Sequence, residues 1–137
     1  MILGNTVYTI WKGIRYRLYL EGECADLYSI DKERYKDIIG LKRDEIENAF
    51  RTIVWVNARG CKAIYAGKKG SKIKLNVKPS DDVITLNAVE IDRGVFEAEI
   101  PISEVEQIWE ERNPYLNFQY PNNFDRIQSL NIDDLNA

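Results

Sequence analysis

The chain has 137 residues and a mass of 15.9 kDa, with 45% hydrophobic, 30% charged and 11% aromatic residues. That length and composition exclude a disordered chain and suffice for a core without metals or disulfides. There is no histidine, so a Ser-His-Asp triad, a Cys-His pair and a His-ligated metal are all excluded. Carboxylate, lysine and tyrosine chemistry is what remains, and each needs a tuned environment.

No window approaches the ~20 apolar residues that cross a bilayer. The start Met-Ile-Leu-Gly-Asn lacks the basic and apolar regions of a signal peptide, so the expectation is a cytoplasmic protein with no membrane contact. Cys24 and Cys61 stand alone in apolar, strand-like stretches. A zinc site is excluded, a disulfide between them stays geometrically possible, and the reading is two buried thiols.

The net charge of −3 hides an asymmetry: 16 Lys+Arg against 9 Asp+Glu up to Lys78, a balance of +7, then 3 against 13 from Pro79, a balance of −10. Two readings stay open. Folding interleaves the two parts and neutralises them across paired strands, or it leaves an acidic face for a basic partner.

Along the chain, Thr6 to Trp11 and Ile14 to Leu20 read as a hairpin around Lys12-Gly13, the second strand alternating Ile14, Tyr16, Leu18 and Leu20 with Arg15, Arg17 and Tyr19. Gly22 marks a turn into a third strand, Cys24 to Ile30, and a fourth is expected over Tyr35 to Ile39. The segment from Arg43 to Arg51 has helical spacing, with Ile46, Ala49 and Phe50 at i, i+3 and i+4 and acidic residues early. Strands then recur at Ile53 to Asn57, Cys61 to Ala66, Ser71 to Val77, Val83 to Ile91 and Val95 to Ile102, the last two joined by Asp92-Arg93-Gly94. Ser103-Glu104-Val105-Glu106 has the form of a capping box, so a second helix is expected from Glu104 to Glu111 or Arg112, stopped by Pro114. Beyond it, Tyr115, Phe118 or Tyr120 pins an extended segment, a short helix is expected over Phe124 to Leu130, and Asn131 to Ala137 frays or serves as a contact arm.

The two passes align. Ile30 to Tyr35 matches Ile91 to Phe96, Glu45 to Phe50 matches Glu104 to Trp109, and Trp11 to Tyr19 parallels Ala58 to Tyr65. The expected architecture is therefore α+β: a β-rich single domain over 1–137, built from two similar units of two hairpins and a helix. Their ranges are about 5–51 and about 52–112, they share one core, and an extended C-terminal arm covers 113–137. The alternative is a chance likeness of generic β-β-α patterns.

Candidate chemistries are then weighed in turn. Gly67-Lys68-Lys69-Gly70-Ser71 fails the spacing of a phosphate loop and reads as a basic turn. Lys62, Lys68, Lys69, Lys72, Lys74 and Lys78, with Arg59, Trp55 and Tyr65, suggest a nucleic-acid-binding module over 59–78, but solvated strand faces explain the same residues. Trp11, Trp55 and Trp109 are assigned to the core. Glu97, Glu99, Glu104, Glu106, Glu110 and Glu111 lack the calcium-loop pattern and any sign of a cleft, so no metal, cofactor or catalytic residue is expected. They read as an acidic ridge facing solvent.

Over Val95 to Arg112, and more loosely over the Trp11-Lys12-Gly13 hairpin, the sequence resembles small cytosolic immunity proteins of bacterial polymorphic-toxin systems, including contact-dependent growth inhibition. These families share no catalytic motif. The resemblance implies a role: non-catalytic binding and neutralisation of a cognate toxin domain, often a nuclease. The expected contact is the acidic ridge, whose carboxylates would pair with the toxin's Lys or Arg.

Overall fold

Lys12-Gly13 and Arg59-Gly60 each form a two-residue turn between paired strands. All four residues have positive φ, 52° and 79° in the first pair and 51° and 73° in the second. A two-residue turn of that hand matches the twist of the strands it joins. The computed structural model describes residues 6–135. In it the first turn joins β1 (Val7–Trp11) to β2 (Ile14–Glu21), with Trp11 opposite Ile14. The second joins β5 (Phe50–Ala58) to β6 (Cys61–Lys69), with Ala58 opposite Cys61.

The chain forms two compact units, one of residues 1–52 and 112–126, the other of residues 53–111 and 127–137. In the first, β2 runs into β3 (Cys24–Ser29), then β4 (Ile38–Lys42), a 3-10 turn at Arg43–Glu45 and the start of β5. The strand order is β4-β3-β2-β1-β5, every neighbour antiparallel. Tyr16, Leu18, Ala25 and Leu27 alternate inward along β2 and β3 and meet Ile46 and Ala49. Tyr115 and Phe118 pack against the same cluster.

The returning segment is fastened to β1 by a side chain. Asn48 accepts from the Ile10 amide through Oδ1 (2.9 Å) and donates from Nδ2 to the Ile10 carbonyl (3.1 Å), while the Thr9 hydroxyl donates to the Asn48 carbonyl (2.7 Å). The carboxamide thus supplies the donor and acceptor that a neighbouring backbone would. Main-chain pairing then takes over, with Tyr8 opposite Phe50 and Val7 opposite Arg51.

In the second unit β6 is followed by β7 (Lys72–Val77), a single turn of α1 (Asp82–Thr85), β8 (Val89–Asp92), β9 (Val95–Pro101), a 3-10 turn at Ile102–Glu104 and β10 (Val105–Pro114). The order is β5-β6-β7-β9-β8, and β10 pairs with β5 and with β11 (Ile127–Leu130). Val54, Val56, Tyr65, Ile73, Leu75, Leu86 and Ile100 are buried together, and Leu135 joins them after a final 3-10 turn at Ile132–Asp134.

Several expectations are corrected. The described residues are β-rich, and their helix is limited to α1 and three 3-10 turns, so the α+β class gives way to antiparallel sheet. Each unit has its own buried cluster where one shared core is expected. The helix expected over Arg43 to Arg51 is a 3-10 turn and the beginning of β5. Ile46 and Ala49 face one apolar layer, and Phe50 stacks on Tyr8 in another, with ring centroids 5.8 Å apart. An extended chain buried on both sides mimics the i, i+3, i+4 spacing of a helix. The helix expected from Glu104 is β10, in which Ile108, Glu110 and Arg112 are buried in alternation. Two charged side chains at inward positions conceal the period of two.

The strand expected over Val83 to Ile91 is α1 followed by β8, and that expected at Tyr35 begins at Ile38. The helix expected over Phe124 to Leu130 is β11, paired with β10 from Ile108↔Leu130 to Glu111↔Ile127. The C-terminal arm is packed rather than frayed as far as it is described: Tyr120 and Phe124 lie against Phe50, and Leu135 is buried. Asn136 and Ala137 lie outside the described residues. Cys24 and Cys61 are both free, Cys61 buried as expected and Cys24 exposed. Burial pushes the Cys61 thiol's pKa up.

Candidate protein-binding surface

The six carboxylates of the expected ridge have unequal surroundings. Glu97 and Glu99 lie on β9, which pairs with the lysine-rich β7. The Lys74 ammonium is 4.0 Å from Glu97, and that of Lys69 is 3.4 Å from Glu99. Glu104, in the 3-10 turn, is held by Arg59 in two-point fashion: Nε donates to Oε1 (2.8 Å) and Nη2 to Oε2 (3.2 Å). This matched geometry raises the pKa of Arg59 and holds the Glu104 carboxyl below the ordinary carboxylate range. Glu106 accepts from the Gly60 amide at 3.4 Å, so the β5–β6 turn is fastened to residues 104 and 106 together.

The last two positions depart furthest from the expectation. Glu110 has no exposed surface, Glu111 is half-buried, and both are engaged within the protein. Glu110 is therefore withdrawn as a contact residue. The ridge is not a free acidic surface, since the chain's own cations occupy Glu97, Glu99 and Glu104.

Charge segregation along the sequence is largely cancelled by the topology. The first unit carries 11 Lys+Arg and 10 Asp+Glu, a net of +1; the second carries 8 and 12, a net of −4. The basic stretch 59–78 and the acidic stretch that follows it belong to one unit, where β7 lies beside β9. That pairing draws Lys69 and Lys74 out of the expected basic patch, and Glu104 draws Arg59 out of it. Lys62 is also committed, its ammonium 4.0 Å from the ring centre of Trp55 and 5.7 Å from that of Trp109. Trp11, Trp55 and Trp109 are partly buried, and Trp11 packs against the first unit's apolar cluster.

What remains open in the second unit is its far edge. β8 ends the strand order and pairs only with β9. All four of its residues are exposed, Val89 at 66% and Ile91 at 57%, and Val95 at the start of β9 is 43% exposed. Between the apolar residues stand Glu90 and Asp92. Among the described residues Glu90 has no ionic partner, and Asp92 accepts only from the Arg93 amide, at 2.7 Å. The sequence signal for this edge is the alternation Val-Glu-Ile-Asp ahead of Arg93-Gly94. It escapes a sequence reading because the stretch passes for the end of a longer, paired strand.

The first unit holds an open pocket of about 670 Å³ between the β1–β2 turn and residues 30–35, lined by Arg15, Lys32 and Arg34 together with Asp31, Glu33 and Tyr35. Its mixed charges select neither anion nor cation. Among the described residues no group of acidic or cysteine side chains is placed to hold a metal ion, and no helix is long and apolar enough to cross a membrane. Comparison of the chain with protein-family models, curated proteins and solved structures finds no match.

Proposed function

We propose that this chain is a non-catalytic cytoplasmic immunity protein, which binds a basic toxin domain, such as a nuclease, and neutralises it through the acidic second unit. The observation that carries the reading is the net charge of −4 on that unit, with carboxylates left over at an apolar edge after the internal ion pairs are made. Excess charge of one sign steers encounter with a basic partner, and exposed apolar side chains beside it give the complex area to bury. Of the six expected residues Glu106 and the outer parts of Glu97 and Glu99 stay in the contact set, and the exposed Glu90 and Asp92 are added to it.

The same reading takes the two units as copies of one ancestral unit. It is supported by the shared succession of turn, meander, 3-10 turn and returning strand, with Glu45 to Phe50 and Glu104 to Trp109 at corresponding points. The second copy differs by the insertion of α1 and β8.

The test is co-expression with the product of the adjacent reading frame. The wild-type chain is expected to restore growth and to bind that product with an affinity that falls as salt rises. A chain with Glu90→Lys and Asp92→Lys is expected to lose protection, and one with Lys32→Glu and Arg34→Glu in the first unit to retain it. A toxic neighbour that the wild-type chain neither binds nor neutralises would refute the reading. The alternative, a nucleic-acid-binding module over 59–78, predicts retention of single-stranded RNA on a filter at low salt and steep loss at high salt.

A further inference from the structure

We infer that β8 is a docking edge for one extended segment of a partner protein, a strand that carries Lys or Arg together with apolar residues. The inference rests on the protein-binding reading above and deepens it by naming the mode of contact. An edge strand offers a row of backbone N–H and C=O groups on the side away from its neighbour, and β8 has a neighbour on one side only. Val89, Glu90, Ile91 and Asp92 are all exposed, and the register against β9 shifts between Glu90 and Asp92.

Charge decides among occupants. A second copy of β8 laid against this edge would set Glu90 and Asp92 near their own counterparts, and like charges on facing strands repel. A strand bearing Lys or Arg is attracted, and its apolar residues cover Val89 and Ile91. The backbone supplies affinity and the charge supplies selectivity. β4, the other end of the β4-β3-β2-β1-β5 order, has Gly40 at φ 79° in its middle and offers Ile39 with Lys42. It lacks the acidic charge that would attract the same strand.

The probe is a six-residue peptide alternating Val and Lys, titrated into the isotope-labelled full chain and followed by amide shifts and hydrogen exchange. Shifts and slowed exchange are expected at residues 89–92, with association weakened about tenfold or more by Glu90→Lys with Asp92→Lys. Two further peptides carry methylated amides along one edge or the other. Strand pairing requires that one of them lose binding and the other keep it, whereas a contact of charge alone leaves both unchanged. An equal response to a Val-Glu peptide, shifts centred on β4 or on Glu97 and Glu99, indifference to both methylated peptides, or no response at millimolar peptide would each overturn the inference. If the peptide behaves as expected and the adjacent product does not bind, the toxin reading fails and the edge stands. If that product binds wild type and the doubly reversed chain alike, the edge fails and the reading stands.

Discussion

The two units use one strand order and differ in what lies between the third and fourth strands. In the first unit that connection is residues 30–37, closed on itself: the Asp37 carboxylate accepts from the Ser29 amide at 2.7 Å and lies 3.1 Å from the Lys32 ammonium. In the second it is residues 78–94, long enough to hold α1 and β8 and to end the sheet in an exposed acidic and apolar strand. The surface proposed to bind lies in this longer connection.

Truncating each core breaks the comparison most severely. Leu27→Ala in the first unit and Leu75→Ala in the second, both fully buried, are each expected to cost about 2–5 kcal/mol in denaturant unfolding. Because the clusters are separate, native-state hydrogen exchange should quicken first in the unit that carries the change. Uniform loss of protection from either variant would mean that the units unfold as one. Next in size is Asn48→Ala, which strands the polar groups of Ile10 and is expected to cost about 1–3 kcal/mol, with exchange of the Ile10 amide accelerated. Gln107 lies near the start of β10 in the second unit. Gln107→Ala is expected to cost less, since that residue is exposed.

A pH titration sharpens the contrast in carboxylates. Hydrogen bonds from the Ser29 amide and then Lys32 lower the pKa of Asp37, and Arg59 lowers that of Glu104. A depressed folded-state pKa means that the stabilisation is present above the unfolded value and is lost as pH falls through the folded one. Carboxyl NMR should therefore find both groups titrating below the ordinary range, and Arg59→Gln should return Glu104 to it while leaving Asp37 in place. The smallest effect is expected at the first turn. Lys12→Asn puts a residue that tolerates positive φ at 52° and should gain about 0.5 kcal/mol.

Much of the strand content was legible because its signals are local. The left-handed turns at Lys12-Gly13 and Arg59-Gly60 and the alternation of β2 and β7 follow from backbone sterics and a period of two. Glu45–Phe50 and Glu104–Trp109 both read as helices, because Phe50 is buried on the face opposite Ile46 and because Glu110 and Arg112 take inward positions. The candidate site was less legible. Acidic residues could be counted from the sequence, but Arg59, 45 positions from Glu104, becomes its partner only when the β5–β6 turn comes to lie beside the 3-10 turn.

By itself, then, the sequence determined the composition of the chain, its want of imidazole chemistry, its two tight turns and the strands β1 to β3, β6, β7 and β9, since each depends on residues within a few positions of one another. Only the tertiary structure decided which carboxylates are neutralised, which charged side chains go inside and which strand is left without a neighbour. Those outcomes depend on the pairing of segments far apart in the chain, and pairing is a property of the assembled sheet.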